Sequence, residues 1–214
     1  MQAVKIYPPF VYAIRYQGDT LNIYRLISKR LQDPEYLEKF FEEFHDKISD
    51  YIVNTLGIPK NEIEEYGAEV NDRILDIDDE IKKICEDICV GNKNNFGNYF
   101  FPHSNYDFRN LPDGGGKSKK YLRNYLPVKC YGEGQPKSIV RLYAIEFSLD
   151  CYLIFYGGIK ITLDTNESPT FDDNGNITDL ESEIEKRYKE VCDFLKEKGI
   201  IDKDGLIDYM KEEL

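Results

Sequence analysis

One stretch rich in aromatic and β-branched residues stands alone near the start of the chain. Residues 10–16 (FVYAIRY) have the composition of a strand, and the next such stretch begins only at residue 126. A strand needs a neighbour for its backbone hydrogen bonds. The strand at 10–16 must therefore pair with strands in the C-terminal half of the chain. These are predicted at 126–131, at 138–148 and at 151–163, the last of which includes Gly157-Gly158. We expect an α+β fold: a small, mainly antiparallel sheet, built from the N-terminal strand and a C-terminal three-strand meander, with helices on one face.

Helical patterns fill most of the remaining chain. Asp33-Pro34-Glu35 is a strong helix start, because aspartate can cap the first turn and proline is tolerated there. We expect one helix from here to about Val53. From about residue 59 to 89, isoleucines recur every three or four positions, which predicts a long amphipathic helix with an acidic opposite face. We expect one domain over 1–214, comprising a helical portion about 19–90, an irregular basic loop about 91–125, a β-meander about 126–163 and C-terminal helices about 179–214.

The charge of the chain is strongly acidic but uneven. The 214 residues carry 28 Lys and Arg against 40 Asp and Glu, a formal net charge of −12, and this argues against a general nucleic-acid binder. Residues 101–160, in contrast, hold nine Lys and Arg against five Asp and Glu. A local basic patch can bind an anion within an acidic protein, or it can pair with the acidic flanks, and both interpretations stay open.

The same composition bears on where the protein works. Hydrophobic residues make up 41% of the chain and aromatic residues 14%, which is too much for a disordered acidic protein. The sequence has no run of apolar residues long enough for a membrane span, and its first residues lack the apolar segment of a signal peptide. We therefore expect a cytoplasmic protein with no membrane partner.

Two common catalytic patterns are not met. The stretch GGGKSKK (114–120) is only part of a phosphate-binding loop, because the motif requires glycine where the chain has Leu111. There is no G-x-S-x-G motif of the kind that presents a serine nucleophile. His103, in the irregular loop beside Pro102, is the one imidazole that we expect to serve as an acid or base. No cofactor is expected.

A set of cationic residues interleaved with tyrosines remains as the candidate site. Lysine and arginine neutralise phosphates, and tyrosine rings stack on unpaired bases. Arg141 lies at the start of an alternating strand, where a charge faces either water or a concave sheet surface, and an arginine can stabilise charge on a phosphorane. The alternative is that the tyrosines belong to the core and the lysines only solubilise the chain. The cationic residues are Lys117, Lys119, Lys120, Arg123, Lys129, Arg141 and Lys160.

Residues 140–169 (VRLYAIEFSLDCYLIFYGGIKITLDTNESP) resemble the C-terminal hairpin of RelE/ParE-superfamily toxins, especially the HigB-like, phage-associated branch. Those proteins have an arginine, an apolar-aromatic strand, a short turn, a second apolar strand and a basic segment followed by proline. Arg141 corresponds to the arginine, Tyr143 lies in the first strand, and 158–162 (GIKIT) corresponds to the basic segment, with Ile161 in place of its second lysine. The family's order of one strand, two helices and three strands also matches the predicted order.

The resemblance implies an endoribonuclease that needs no metal. In that chemistry the ribose 2′-OH attacks the adjacent phosphate, while basic residues orient the phosphate and stabilise its charge. On this reading Arg141 and Lys160 are the main catalytic residues, with Tyr143 and His103 beside them. The expected RNA-binding residues are Lys117, Lys119, Lys120, Arg123 and Lys129, and the partners are RNA or the ribosome and a cognate antitoxin.

Two other hypotheses are compatible with the sequence. The acidic net charge and the lack of a strong acid–base set favour a non-enzymatic acidic interaction protein, such as an antitoxin, immunity protein or phage-defence component, which would bind a cognate basic toxin or nuclease. A metal-dependent nuclease is the third hypothesis, although two-metal catalysis uses carboxylates that converge from different elements. Its candidate carboxylates share one helix: Asp72, Asp76, Asp79 and Glu80.

Overall fold

A computed structural model describes the chain at residues 1–57, 59, 66–91, 96, 99–102, 125–130, 139–148, 150–163 and 165–212. Eight strands lie in these residues: β1 (Gln2–Tyr7), β2 (Val11–Arg15), β3 (Phe100–Pro102), β4 (Leu126–Cys130), β5 (Val140–Ser148), β6 (Cys151–Ile159), β7 (Pro169–Phe171) and β8 (Ile177–Asp179). The α-helices there are α1 (Ile23–Leu31), α2 (Pro34–Glu43), α3 (His45–Tyr51), α4 (Tyr66–Cys89), α5 (Leu180–Glu197) and α6 (Lys203–Glu212).

The main sheet has six strands in the order β1-β2-β6-β5-β4-β3. The lone N-terminal strand does pair with the C-terminal strands, as β2 lies beside β6 with Ala13 opposite Ile154. That pairing is parallel, whereas the other pairs of the sheet are antiparallel, so the sheet is mixed. The α+β class is confirmed. Strands β1 and β3 were not predicted from the sequence, and β7 and β8 form a second, two-stranded sheet.

One face of the main sheet carries the helices α1 to α4. The side chains of Val11, Ala13 and Leu142 point to this face and belong to the first core, together with the buried isoleucine stripe of α4. The stripe is the one that the sequence predicts, and burying it supplies the helix with its main stabilisation. Its described members are Val70, Ile74, Ile77, Ile81 and Ile84.

The other face of the sheet carries α5 and α6. The alternate residues Tyr12, Ile14 and Leu153 point to this side and pack in a second core with buried residues such as Leu195 and Leu206. The prediction of helices on one face was wrong, because the sheet lies between two helical layers. The cause is visible in β6, where every residue is buried, since a strand covered on both faces has an unbroken apolar pattern.

The helix that begins at Asp33-Pro34-Glu35 is shorter than predicted. The Asp33 carboxylate accepts a hydrogen bond from the Glu35 amide at 3.0 Å, which confirms the predicted start of α2. At Phe44 the backbone leaves helical geometry, so the stretch predicted as one helix is divided into α2 and α3. One π-helical turn follows α3 and ends at Gly57, which has a φ of 69° that favours glycine.

Candidate functional site

Arg141, the main residue of the predicted site, lies inside the molecule. It is in β5 opposite Gly158 of β6, on the face of the sheet that α5 and α6 cover, and it is 2% exposed. One of its guanidinium N–H groups donates to the carbonyl oxygen of Val140 at 2.8 Å. Part of its hydrogen-bonding capacity thus serves the local backbone, and a phosphate cannot reach it while the second helical layer is in place.

Tyr143 is two residues further along β5 and is also internal. It is 1% exposed, and its ring stacks on that of Tyr156 with ring centroids 6.3 Å apart. Lys129 of β4 is opposite Tyr143 in the register and is partly buried. Tyr143 therefore packs in the second core rather than presenting its ring to an unpaired base.

Lys160 follows the last residue of β6 and has a structural role in the turn. Its ammonium group donates to the carbonyl oxygen of Thr162 at 2.8 Å and also to that of Leu163. These contacts hold the chain as it leaves the sheet. A phosphate at Lys160 would have to compete with these two backbone carbonyls for the N–H donors of the ammonium group.

The structure brings three of the predicted cationic residues to the same side of the sheet. The residues that precede and follow Lys129, Arg141 and Lys160 in the sequence all belong to the first core. Because successive side chains alternate between the two faces, these three side chains point to the face of the second core. The remaining predicted site residues lie outside the described part of the chain: His103, Lys117, Lys119, Lys120 and Arg123.

A partly buried polar contact joins the acidic helix α4 to β1 and α1. The hydroxyls of Tyr7 and Tyr24 both donate to Oδ1 of Asp78, at 3.0 and 2.6 Å. Burial and this hydrogen bond raise the pKa of Tyr7 to about 12, so the hydroxyl stays a donor at neutral pH. Asp78 is therefore turned toward the protein, although it belongs to the acidic side of the predicted helix.

Glu80 is also turned toward the protein. It accepts hydrogen bonds from the Arg73 guanidinium, at 3.1 and 3.3 Å, and from the Tyr99 hydroxyl at 2.7 Å. Among the described residues, no three side chains of His, Cys, Asp or Glu form a group that could hold a metal ion. The carboxylates proposed for a metal-dependent nuclease thus do not converge in the part of the chain that is described.

Exposed acids are concentrated on the outer side of α2, α3 and α4, which we call the acidic helical face. Its described, exposed acids are Glu35, Glu38, Glu42, Glu43, Asp46, Asp50, Asp72, Asp76, Asp79 and Glu86. Against these ten, the exposed lysines of the same helices are Lys39, Lys47, Lys82 and Lys83. On α5 and α6 the difference is smaller, with six exposed acids against four exposed lysines: Glu185, Asp193, Glu197, Asp204, Asp208 and Glu212 against Lys186, Lys189, Lys196 and Lys211.

A groove of about 610 Å³ lies between α3 and the β7–β8 sheet, and we call it the α3–β8 groove. Two large apolar side chains in its walls are exposed, Leu163 at 73% and Ile177 at 56%. Neither residue was predicted as part of a site, because an isolated aliphatic residue carries no periodic signal. The polar and charged residues that line the groove are Lys47, Asp50, Tyr51, Thr55, Thr162, Asn166, Glu167, Thr178 and Asp179.

The charge within the α3–β8 groove is negative. Asp50, Glu167 and Asp179 line it together with one lysine, Lys47, whose ammonium donates to the carbonyl oxygen of Glu167 at 3.3 Å. Asp179 caps α5 by accepting hydrogen bonds from the amide and hydroxyl of Ser182, at 2.7 and 2.6 Å. Burial tends to raise the pKa of Asp179, but these hydrogen bonds outweigh it and hold the pKa below its ordinary value.

Comparison of the chain with protein-family models, curated proteins and solved structures finds no match. No helix in the described ranges has both the length and the apolar character needed to cross a bilayer. The function must therefore be argued from the geometry and charge of the molecule itself.

Proposed function

We propose that this protein is a non-enzymatic interaction protein that binds a basic protein partner through its acidic helical face. An antitoxin, an immunity protein or a phage-defence component has this kind of role. Acidic surfaces attract basic partners over distance and raise the rate of productive encounter. The excess of ten exposed acids over four exposed lysines on α2, α3 and α4 is the observation that carries the proposal.

The position of the cationic residues also supports a binding role over RNA cleavage. Stabilising a phosphorane requires donors that reach the phosphate oxygens. Arg141 is 2% exposed, and the Lys160 ammonium is engaged by two backbone carbonyls. Arg141 is thus withdrawn from solvent and the Lys160 ammonium is engaged, whereas Glu38 and Glu42 of α2 and Asp72 and Asp79 of α4 are exposed.

Affinity capture with matched charge variants tests the proposal. One variant neutralises four exposed acids of the acidic helical face: Glu38→Gln, Glu42→Gln, Asp72→Asn and Asp79→Asn. The control removes the same charge from the other helical layer: Asp193→Asn, Glu197→Gln, Asp204→Asn and Asp208→Asn. We expect the wild-type chain and the control to retain a basic protein that the first variant loses. Recovery of RNA alone, or equal retention by both variants, would contradict the proposal.

A RelE/HigB-like, RNA-cleaving toxin is the second candidate. The placement of Lys129 in β4, Arg141 in β5 and Lys160 directly after β6 brings three cations to neighbouring parts of the sheet, which favours it. For this function the second helical layer would have to move aside to admit RNA. Expression in a bacterium would then arrest growth, and Arg141→Ala would relieve the arrest while the variant still folds. Normal growth at full expression of the wild-type chain would contradict this candidate.

A further inference from the structure

We propose that the α3–β8 groove binds an extended segment of the partner protein in which an aliphatic residue is flanked by lysine or arginine. The inference rests on the proposed function, because it names the segment of the basic partner that docks beside the acidic helical face. Asp50 belongs to both surfaces: it is one of the exposed acids of α3, and it lines the groove. The two surfaces are therefore continuous.

The apolar part of the groove calls for an aliphatic side chain. Leu163 and Ile177 are among the most exposed large apolar residues of the described chain, and both line this one concavity. Isolated exposed aliphatic residues need no explanation, but these two give a single groove an apolar component that an aliphatic side chain can cover. The volume of about 610 Å³ is within the range of clefts that bind small ligands.

The charged part of the groove selects for basic neighbours of that aliphatic residue. Three carboxylates, those of Asp50, Glu167 and Asp179, line the groove. The described lining has one cation, Lys47, and its ammonium contacts the Glu167 carbonyl across the groove. Lysine or arginine on the incoming segment would thus meet opposite charge on both walls, whereas an acidic segment would be repelled.

The backbone of β8 favours an extended conformation for the bound segment. The backbone amide of Leu180 donates to the carbonyl oxygen of Ser168, and the backbone amide of Asp172 donates to the carbonyl oxygen of Asn176. Hydrogen-bonded pairs alternate with non-hydrogen-bonded pairs along an antiparallel ladder. Thr170 and Thr178, which lie midway between these two bonds, therefore also point their backbone N–H and C=O groups toward each other. The N–H and C=O of Ile177 consequently point away from β7, toward the edge where a further strand can add.

Selection from short random peptides displayed on phage, with the full chain immobilised, tests this inference. We expect the enriched peptides to share an aliphatic residue flanked by lysine or arginine. Ile177→Ser should weaken binding of an enriched synthetic peptide by about tenfold, the loss typical of an interface anchor. The matched control is Ile201→Ser, because Ile201 is equally exposed, at 56%, and does not line the groove.

Two further variants separate the groove from a general loss of structure. Leu163→Ser should weaken the peptide to a similar degree, and Asp50→Lys should weaken basic peptides while melting temperatures remain close to that of the wild type. The inference is overturned if no basic, aliphatic peptide is enriched, or if Ile177→Ser and Ile201→Ser bind equally well.

Failure of the groove inference can be distinguished from failure of the proposed function. The four neutralised acids of the capture experiment are not groove residues, so that variant should still bind the selected peptide. Peptide binding at the groove with no capture of a basic protein would refute the proposed function alone. Capture of a basic protein that Ile177→Ser leaves unchanged would refute the groove alone.

Discussion

Asp78 shows how a single carboxylate can join three elements of this fold. It lies on α4 and accepts hydrogen bonds from Tyr7 of β1 and Tyr24 of α1 on the same oxygen. The Tyr24 ring is buried in the first core, so its hydroxyl has no access to bulk water as a substitute acceptor. A buried donor that loses its partner costs more free energy than an average hydrogen bond contributes.

We predict that Asp78→Ala lowers the free energy of unfolding by about 2–3 kcal/mol, because both hydroxyls lose their acceptor. Asp79→Ala is the matched control, since Asp79 is the next residue and is exposed, and its effect should stay within about 0.5 kcal/mol. Urea unfolding of the two variants measures both values. Similar losses for the two would show that the tyrosine contacts contribute little.

The candidate site illustrates what a residue's identity does and does not reveal. The sequence showed that Arg141 and Lys160 are charged and that Arg141 lies in an alternating strand. It offered water or a concave surface as the environment of Arg141, whereas the structure buries it under a helical layer. The face of the sheet that carries Arg141 is covered by elements distant in sequence, such as α5 about forty residues further along the chain, and no local pattern around Arg141 encodes that packing.

Strand β6 is the element on which both helical layers depend. Its residues from Cys151 to Ile159 are all buried, and α1 packs against it where Gly157 leaves room. A Cβ at Gly157 would lie 2.7 Å from Cδ1 of Ile27 and 2.9 Å from the backbone oxygen of Arg141. A side chain can shift, but the backbone of a neighbouring strand cannot do so without breaking the ladder.

We predict that Gly157→Ala destabilises the fold by about 1–3 kcal/mol through overpacking between β6 and α1. The neighbouring Gly158→Ala is the control, because its added carbon would meet Cδ1 of Leu180 at an ordinary 3.6 Å. Its stability should be unchanged or slightly higher, since alanine restricts the unfolded chain. Thermal unfolding of the pair checks this, and equal stability of the two variants would be the contrary result.

The sequence predicted those elements whose signal is local. The cap at Asp33, the isoleucine stripe of α4 and the strand at 10–16 were recognised because each depends on neighbouring residues. The parallel direction of β2 beside β6 was not, because pairing over about 140 positions leaves no mark in either strand. Strand β3 has three residues, too few for an alternating pattern.

At the scale of the whole molecule, the sheet separates two helical layers, and the charge within the first layer is uneven, because α1 exposes Arg25 and Lys29 and has no acidic residue. The acidic excess is concentrated on the outer side of α2, α3 and α4, while α5 and α6 expose a more even mixture. The helices α2, α3 and α4 together expose six more acids than lysines, which corresponds to half of the net charge of −12. A negatively charged surface favours association with a basic partner and disfavours RNA, because the RNA backbone is also negatively charged.

The affinity for the captured partner as a function of salt tests the central claim most directly. Between about 0.05 and 0.5 M salt, the dissociation constant of the wild-type chain should rise by at least about tenfold, because screening weakens attraction between exposed charges. The variant with four acids of α2 and α4 neutralised should bind more weakly and respond less to salt, while the control variant of α5 and α6 should follow the wild type. An affinity independent of salt, or equal behaviour of the two variants, would contradict binding through the acidic helical face.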